Sequence, residues 1–388
     1  MIPLFTSIVV LLLGFSFATS TPKSPAQHGI ESIFDNLADS DSPGISVLIR
    51  EDGRTVFEHG YGIRDLETKS RIDSDTNFRL ASCTKQFTAM AVMLLVHDGK
   101  LRYDERLTDV FPEFPDYGKK ITIRNLLNHT SGLPDYESLM EEASSQPRWT
   151  KDKQIHDKDV LALLETQERG KFSPGKQWSY SNSGYVVLGL VVAKLSGKTF
   201  PDFLHDRIFE PLGMNHTVAY VNGINTISNR AYGYSKEGGR FVQTDQSATS
   251  ATLGDGGVYS NLEDLKKWDD ALAHHTFISS DEMKAALTAV KLPDGSTPSW
   301  SSDPGDADPE AGKPVFYGFG WFLDDYHGRR RMWHYGETVG FRTAIERFTN
   351  DKLTIVILCN RSDLDPGLLS TQVANLQLRL PQQENSVR

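Results

Sequence analysis

The stretch RLASCTKQFTAMAVMLLVHDGK, residues 79–100, decides how the rest of the chain is interpreted. It places three side chains that carry a hydroxyl or a thiol next to one another, Ser82, Cys83 and Thr84, and follows them with Lys85. The run AMAVMLLV is apolar on every side of a helix, which predicts that the helix is buried. Ser82 and Lys85 would share one face of it, whereas the two side chains between them would point elsewhere. This segment alone leaves two interpretations open: a serine activated by a lysine, or a serine that caps a helix while the lysine reaches solvent.

The composition excludes several classes of function. The chain has 388 residues, of which 38% are hydrophobic and 24% are charged, as is typical of a soluble globular protein. Its formal net charge of -10 argues against nucleic acid or an anionic membrane surface as the main partner, because both repel an acidic protein. We therefore expect a small molecule or a peptide as the partner. The sequence does not indicate an oligomeric state.

The beginning of the chain resembles a secretory signal. An apolar run from Ile8 to about Ala18 precedes a group of small residues, and the run is too short to span a bilayer. The pattern predicts a signal peptide over residues 1–20, a secreted or periplasmic location, and no membrane span in the mature chain, residues 21–388. A short buried or anchoring helix is the alternative, since no Lys or Arg precedes the apolar run.

Strand patterns lie towards both ends of the chain, with helices between them. Alternating segments on either side of Asp52-Gly53 predict a hairpin. Further strands are expected in VFYGFGWFL, RMWHYG, GFRTAIERF and KLTIVILCN, and a last helix near LLSTQVANLQLRL. The terminal parts, about 25–100 and about 276–380, should build one antiparallel sheet, with a mostly helical lobe over about 101–275 inserted between them. This predicts an α+β fold in two lobes, with a pocket at their boundary.

The motifs that usually mark a metal or cofactor site are absent from the sequence. The sequence contains no G-x-S-x-G, H-E-x-x-H, C-x-x-C or Walker pattern, so we expect neither a metal nor a cofactor. The two cysteines, Cys83 and Cys359, are expected to be separate buried thiols, although an exported chain could pair them.

The pattern S-x-x-K occurs three times, and one copy suits catalysis better than the others. The copy at residues 20–23 lies in the expected cleavage region, and the copy at 173–176 encloses Pro-Gly, which disfavours a regular helical turn. Ser82 with Lys85 opens a helix instead. Burial there would remove water from the lysine, lower its pKa and allow it to act as a neutral base.

Two further patterns supply groups that a nucleophilic serine needs. Tyr180-x-Asn182 would place a phenol and an amide on a constrained loop before a helix that starts near residue 184, although a packed tyrosine and a turn asparagine are the alternative. His334-x-Gly336 ends a strand, where a glycine allows a ligand to approach the backbone closely. A histidine in a strand is, however, more often structural.

These three motifs, in this order, resemble the serine β-lactamase and penicillin-binding superfamily. The similarity is greatest to its branch of class C β-lactamases, D-alanyl carboxypeptidases, D-aminopeptidases and related esterases, and it covers about 29–376 of this chain. Connecting blocks such as NHTSGL, LGDGGVYSNLEDL and YGFGW are similar as well. The resemblance implies the β-lactamase-like two-lobe fold. His129, within NHTSGL, is interpreted as a residue that fixes a loop, and the resemblance assigns it no catalytic role.

The resemblance also implies a role for each residue of the site. Ser82 would attack a carbonyl with Lys85 and Tyr180 as its proton acceptors, and water would hydrolyse the resulting acyl-enzyme. Tyr180 would also protonate the leaving group and later help to activate the water. Backbone N–H groups of Ser82 and Glu337 would form the oxyanion hole. Asn182 would hold a substrate amide.

His334 stands where most β-lactamases have the lysine of K-T-G, and H-x-G resembles certain secreted D-alanyl carboxypeptidases and D-aminopeptidases. It would supply the substrate with a hydrogen bond or a partial charge, with Gly336 beside it. Histidine is mostly neutral at pH 7, so it suits a substrate carboxylate less well than a permanent cation does. The arginines at 329–331 and Arg342 could hold an anionic substrate, although solvated surface arginines are the more common case.

The leading hypothesis is therefore an exported serine hydrolase that acts on D-amino-acid amides or peptides, or on small esters. A promiscuous esterase with weak β-lactamase activity is one alternative. A second alternative is a covalent penicillin binder that is acylated on Ser82 and releases the product only slowly.

Overall fold

In the computed structural model of the chain, one antiparallel sheet of six strands combines segments from near both ends of the sequence. Its strands, in the order in which they lie side by side, are β10 (Phe322–Tyr326), β11 (Arg329–Thr338), β12 (Phe341–Phe348), β13 (Leu353–Cys359), β1 (Ile45–Glu51) and β2 (Arg54–Tyr61). The predicted sheet built from the two terminal parts, and with it the α+β fold class, is thereby confirmed.

The structure describes residues 25–35, 37, 41–142, 148–300 and 313–380. The signal peptide expected over residues 1–20 lies outside these ranges. Within them, none of the helices has the length and the apolar character that a bilayer crossing requires.

Helices cover both faces of the sheet. Helices α1 (Pro25–Phe34) and α12 (Pro366–Gln377) share one hydrophobic cluster with the sheet, and α2 (Lys85–His97) and α7 (Asn182–Ser196) belong to a second, larger cluster. The remaining helices are α3 (Leu107–Val110), α4 (Ile123–Leu127), α5 (Tyr136–Glu142), α6 (Asp157–Glu165), α8 (Phe200–Leu204), α9 (Glu210–Leu212), α10 (Leu262–Ala273) and α11 (Ser280–Met283).

The two-residue period of the strands assigns their side chains to these two clusters. In β1, Ile45, Val47 and Ile49 pack in the cluster of α1 and α12, whereas Leu48 packs in the cluster of α2. The same alternation places Cys359 in the first cluster, while Cys83 lies in the second. Both cysteines are buried free thiols, as expected.

The hairpin predicted at Asp52-Gly53 joins β1 to β2. Both turn residues have positive φ, 48° at Asp52 and 74° at Gly53, as a two-residue turn between antiparallel strands requires. At the other end of the chain, β11, β12, β13 and α12 lie where their sequence patterns predict them.

The segment VFYGFGWFL departs from its prediction, because only its last two residues belong to a strand, β10. Two glycines explain the difference. A side chain at Gly318 would lie 1.8 Å from the carbonyl oxygen of Ala286, and Gly320, with φ of 75°, lies against the backbone of Lys85. The segment therefore bends to pack against the start of α2 instead of extending along the sheet.

Between residues 63 and 260 the chain also contains short strands that were not predicted. Three of the additional strands form a small sheet beside the first turn of α2, in the order β5 (Phe78–Arg79), β9 (Val258–Ser260) and β6 (Val218–Ala219). The others form two pairs: β3 (Ile63–Asp65) with β4 (Ser70–Arg71), and β7 (Tyr234–Glu237) with β8 (Arg240–Gln243).

Candidate active site

Ser82 lies on a tight turn that separates a strand from a helix. Residues Ala81–Thr84 form a 3-10 turn directly before α2, and Ala81 has φ of 46°, which side chains other than glycine rarely adopt. In the fully described range 76–95, Ser82 is the one residue that is not buried. The N-cap of α2 is Thr84, so the interpretation of Ser82 as a helix cap is not supported. The fold instead exposes this one hydroxyl at the end of a buried segment.

Lys85 is fully buried, and its amine nitrogen has three oxygen neighbours. Nζ donates to Oδ1 of Asn182 at 2.9 Å and to the carbonyl oxygen of Asp255 at 3.0 Å, and it lies 3.0 Å from Oγ of Ser82. The first two oxygens can only accept hydrogen bonds. A neutral amine has two N–H groups and one lone pair, so its lone pair points to the Ser82 hydroxyl when both N–H groups are so engaged.

Burial lowers the pKa of Lys85 to about 8, and the nearby carboxylates of Asp255, Glu137 and Asp135 limit the decrease. About a tenth of the lysine is therefore neutral at pH 7, far more than for a lysine with an ordinary pKa. The alternative in which Lys85 reaches solvent does not hold, because the side chain is 0% exposed.

Tyr180 approaches the same pair from the segment that precedes α7. Its ring centroid lies 4.8 Å from Nζ of Lys85, and its hydroxyl forms a hydrogen bond with Ser82. Burial raises the pKa of Tyr180 well above its usual range, and the hydrogen bond to Ser82 only partly opposes this. The phenol is therefore protonated at neutral pH, ready to donate rather than to accept a proton.

Asn182 is the first residue of α7 rather than a loop residue before it. The helix starts there because the Ser181 side chain acts as the N-cap and accepts a hydrogen bond from the backbone N–H of Gly184 at 3.1 Å. The predicted start near residue 184 is thus two residues late. Because Oδ1 of Asn182 accepts from Lys85, the amide is oriented with its N–H₂ group away from the lysine.

His334 lies on β11 close to the site, but both of its ring nitrogens have protein partners. Nδ1 lies 2.6 Å from the carbonyl oxygen of Tyr335 and Nε2 lies 3.2 Å from the hydroxyl of Tyr317. The carbonyl requires a donor, so Nδ1 carries the proton and Nε2 accepts from Tyr317. Burial and the charge of Lys85 lower the pKa of His334 to about 3, so the ring is neutral. A substrate hydrogen bond from this residue would have to displace Tyr317.

Gly336 allows a close approach, although the approaching group is the protein itself. A side chain at this position would lie 2.2 Å from the carbonyl oxygen of Leu80 and 3.2 Å from the backbone nitrogen of Ser82. The glycine thus lets β11 pack against the turn that carries the nucleophile. The neighbouring Glu337 directs its side chain outwards to Arg342, at 2.5 Å.

The two residues that follow Ser82, Cys83 and Thr84, form hydrogen bonds elsewhere in the structure. The helical spacing predicted that they would point away from the face of Ser82 and Lys85. Sγ of Cys83 is fully buried and donates to the carbonyl oxygen of His334 at 3.1 Å, while Oγ1 of Thr84 accepts from the backbone N–H of Val258. Burial raises the pKa of the Cys83 thiol well above its usual range, so the reactive thiolate is disfavoured.

Sequence reasoning missed a group of carboxylates beside Lys85. Asp255 lies in the block LGDGGVYSNLEDL, while Asp135 and Glu137 follow NHTSGL, but neither block suggested a role for its acids. Burial, with the neighbouring charges of Asp135 and Asp255, raises the pKa of Glu137 to about 7. Tyr136 connects the group, since its hydroxyl donates to Oδ2 of Asp255 at 3.1 Å.

Known proteins are similar to this chain in sequence and in fold. The sequence model of the family described as Beta-lactamase matches residues 30–378. Penicillin-binding protein 4* of Bacillus subtilis (strain 168) is 31% identical over 354 residues, which covers 88% of this chain and 73% of that protein. A D-aminopeptidase of Cereibacter sphaeroides is 26% identical over 321 residues, covering 82% of this chain but only 57% of that protein.

A solved structure gives the same result. The D-amino acid amidase from Ochrobactrum anthropi SV3 complexed with L-phenylalanine superposes with a TM-score of 0.75 at 25% identity, covering 92% of this chain and 99% of that chain. Fold and similarity together define a serine hydrolase. The chain belongs to the β-lactamase family, because the family match covers most of its length.

Proposed function

We propose that this protein hydrolyses amides or peptides of D-amino acids through an acyl-enzyme on Ser82. The observation that carries the proposal is the arrangement at Lys85, whose two hydrogen-bond acceptors leave Ser82 as the partner of its lone pair. The relatives named D-aminopeptidase and D-amino acid amidase support this substrate class.

Acylation begins with proton transfer from Ser82. Oγ attacks the substrate carbonyl carbon while its proton passes to the neutral amine of Lys85, which becomes an ammonium ion. The carbonyl π electrons move onto its oxygen, and the backbone N–H groups of Ser82 and Glu337 would stabilise the oxyanion. The contact of Gly336 with the Ser82 turn supports this arrangement, because it brings β11 next to the nucleophile.

Tyr180 completes the transfer. It donates its hydroxyl proton to the leaving nitrogen as the C–N bond breaks, and it recovers a proton from the Lys85 ammonium. Water then attacks the carbonyl carbon of the Ser82 ester and passes a proton to the neutral amine of Lys85. The bond to Oγ breaks as the carbonyl re-forms, and Oγ takes that proton from the Lys85 ammonium while the acid leaves. Because burial keeps the Tyr180 phenol protonated, we assign Lys85 as the base and Tyr180 as the donor in acylation.

Asn182 would hold the substrate next to these groups. Its Oδ1 is occupied by Lys85, so Nδ2 is the atom that would donate to the carbonyl oxygen of a substrate amide. His334 would contribute through Tyr317, whose hydroxyl it orients, rather than as a cation.

The charges around the site favour a substrate amine over a substrate carboxylate. Asp135, Glu137 and Asp255 all interact electrostatically with Lys85. Glu137 is surrounded by protein closely enough to raise its pKa, but it keeps an exposed surface at which it can meet a ligand. Two of the arginines considered for an anion are paired with acids: Arg331 lies 2.6 Å from Asp324, and Arg342 lies 2.5 Å from Glu337. A free α-amino group would therefore be drawn to Glu137.

We also propose that the protein is exported. The apolar leader pattern supports this, and so do the penicillin-binding names among the relatives. Fractionation of the producing cells, with sequencing of the mature N-terminus, tests this proposal; an uncleaved cytoplasmic protein would refute it.

One experiment tests the activity. Purified protein and its Ser82→Ala variant are offered D-alanyl and L-alanyl p-nitroanilides, a p-nitrophenyl ester and a fluorescent penicillin. We expect multiple turnovers of the D-alanyl anilide that Ser82→Ala lacks. Turnover of the ester alone would favour the esterase, and a single stoichiometric burst with penicillin would favour the covalent binder. Undiminished turnover by Ser82→Ala would remove the mechanism.

A second variant tests the amine site. Replacing Glu137 by Gln should lower kcat/KM for the D-alanyl anilide about tenfold, because a hydrogen bond to a charged group is lost. The N-acetylated anilide is the control, since it has no ammonium group to lose. Equal losses on both substrates would contradict the role of Glu137.

A further inference from the structure

His129 is a buried residue in contact with Tyr180 that the mechanism has not used. It is 0% exposed, and its ring centroid lies 4.4 Å from that of Tyr180 and 4.4 Å from that of Tyr317. The sequence indicated only that it fixes a loop, and neither the resemblance nor the named relatives assign it a part in the reaction. Two of its hydrogen bonds, however, hold the loop that carries the phenol.

Two backbone hydrogen bonds from His129 enclose Tyr180 on both sides. The N–H of Ser179, the residue before it, donates to the carbonyl oxygen of His129 at 3.0 Å. The N–H of Ser181, the residue after it, donates to Nδ1 of His129 at 3.2 Å. Together with the ring contact, one residue thus holds the preceding peptide, the following peptide and the side chain of Tyr180.

An unusual backbone conformation makes this double contact possible. His129 has φ of 62°, in the left-handed region that few residues other than Gly, Asn and Asp adopt. Its neighbour Thr130 continues the pairing, because the carbonyl oxygen of Thr130 accepts from the N–H of Gly175 at 2.8 Å. The block NHTSGL therefore holds the loop before α7 in place through backbone hydrogen bonds.

The protonation state of His129 follows from these contacts. Nδ1 accepts a hydrogen bond, so in the neutral ring Nε2 carries the proton, and within the described part of the chain Nε2 has no hydrogen-bond partner. Burial, followed by the charges of Lys85 and His334, lowers the pKa of His129 well below its usual value. A neutral ring with Nδ1 as acceptor is the form that the Ser181 contact needs.

We infer that His129 is a positioning residue, which fixes Tyr180 over Ser82 by accepting the backbone N–H groups on both sides of it. This inference rests on the proposed role of Tyr180 as proton donor. It adds a residue to the reaction that touches no substrate atom and acts only through the placement of the phenol.

The test compares two amides that differ in the position of their acceptor. In His129→Asn the side-chain oxygen stands near the position of Nδ1, and asparagine tolerates positive φ. In His129→Gln the amide reaches the position of Nε2 instead, so the Ser181 N–H loses its acceptor. Each variant is measured with the D-alanyl anilide, alone and combined with Tyr180→Phe, and thermal unfolding monitors the fold.

We expect His129→Gln to lower kcat about 100-fold with little change in KM, as for a misplaced catalytic group, and His129→Asn to lose about tenfold at most. In the Tyr180→Phe background, His129→Gln should cost less than about threefold, because residues that act as one unit are not additive. Two results would overturn the inference. One is an equal decrease of kcat in His129→Asn and His129→Gln, and the other is a decrease by His129→Gln in the Tyr180→Phe background as large as in the wild type. Should His129→Gln not fold, His129→Gly, which tolerates positive φ and lacks the acceptor, replaces it in the same cycle.

The outcomes separate this inference from the proposed function. If Tyr180→Phe itself has wild-type kcat, the assigned role of Tyr180 fails, and the inference fails with it. If Tyr180→Phe is impaired while His129→Gln is not, the role of Tyr180 stands and only the inference fails.

Discussion

Two copies of the same four-residue pattern, Ser82 to Lys85 and Ser173 to Lys176, have opposite surroundings in this protein. In the second copy both side chains are exposed, and the turn is closed by a backbone hydrogen bond of 3.0 Å between the two residues, around Gly175. In the first copy the lysine is 0% exposed and its amine has three oxygen neighbours. The pattern itself therefore carries no chemistry. The difference is made by burial and by the acceptors that orient the amine.

Replacing each serine by alanine breaks this comparison most directly. Ser82→Ala should lower kcat by about 10⁴-fold or more, because no covalent intermediate can form without the nucleophile. The matched variant Ser173→Ala should keep wild-type kinetics, since that hydroxyl is exposed in a loop. Steady-state rates with the D-alanyl anilide measure both. Substantial residual turnover by Ser82→Ala, or a large loss in Ser173→Ala, would show that the first copy is not the catalytic one.

Exchanging the two lysines for methionine tests burial separately from the motif. Lys85→Met keeps the length and the apolar packing of the side chain but removes the base, so kcat should decrease about 10³-fold. Lys176→Met removes an exposed amine and should change kcat less than twofold, a difference typical of surface substitutions. Comparable losses in the two variants would mean that the surroundings of Lys85 do not matter.

Local patterns were sufficient to predict the buried helix of the first copy and the side that its serine and lysine share, but not to choose between a nucleophile and a helix cap. The apolar run behind Ser82 required a buried helix, and the helical spacing placed Lys85 on the same side as the serine. The hairpin at Asp52-Gly53 and the strands of the sheet could also be predicted, because turn residues and alternating apolar residues are local signals. The family was predicted from the resemblance of the three ordered motifs, and the family match confirms it.

Features set by contacts between distant segments could not be predicted. The carbonyl of Asp255 comes from a residue 170 positions away from Lys85, and no local pattern marks a backbone carbonyl as a partner. Glu137 could not be singled out from the sequence either, because its raised pKa depends on burial and on acids that lie near it in the fold. The bend at Gly320 likewise depends on the backbone of Lys85, which approaches it from another part of the fold.

The pH profile sharpens the comparison, because only a buried lysine titrates near neutrality. Burial lowers the pKa of Lys85 to about 8, and the active form is the neutral one, which increases as pH rises. We therefore expect kcat/KM to rise about tenfold between pH 7 and pH 9, since this parameter reports the free enzyme. A neutral ester is the substrate of choice, because ionisation of Glu137, whose pKa is raised to about 7, affects it least.

The direction in which kcat/KM changes between pH 7 and pH 9 decides whether Lys85 is the base. A rate that is flat or falls over the same range would contradict Lys85 as the base. Lys176→Met should show the wild-type profile, because that side chain is exposed and the substitution leaves Lys85 in place.

The smallest effect is expected at Cys83, the residue next to the nucleophile. Cys83→Ala removes a buried thiol whose Sγ donates to the His334 carbonyl at 3.1 Å, which should cost about 1 kcal/mol of the free energy of unfolding. Since the side chain points away from Lys85, kcat should change less than about twofold. Urea unfolding and anilide kinetics on the same preparation measure the two effects. A large loss of kcat in a folded Cys83→Ala protein would mean that the thiol, and not only Ser82, contributes to the chemistry, and the argument from helical spacing would fail.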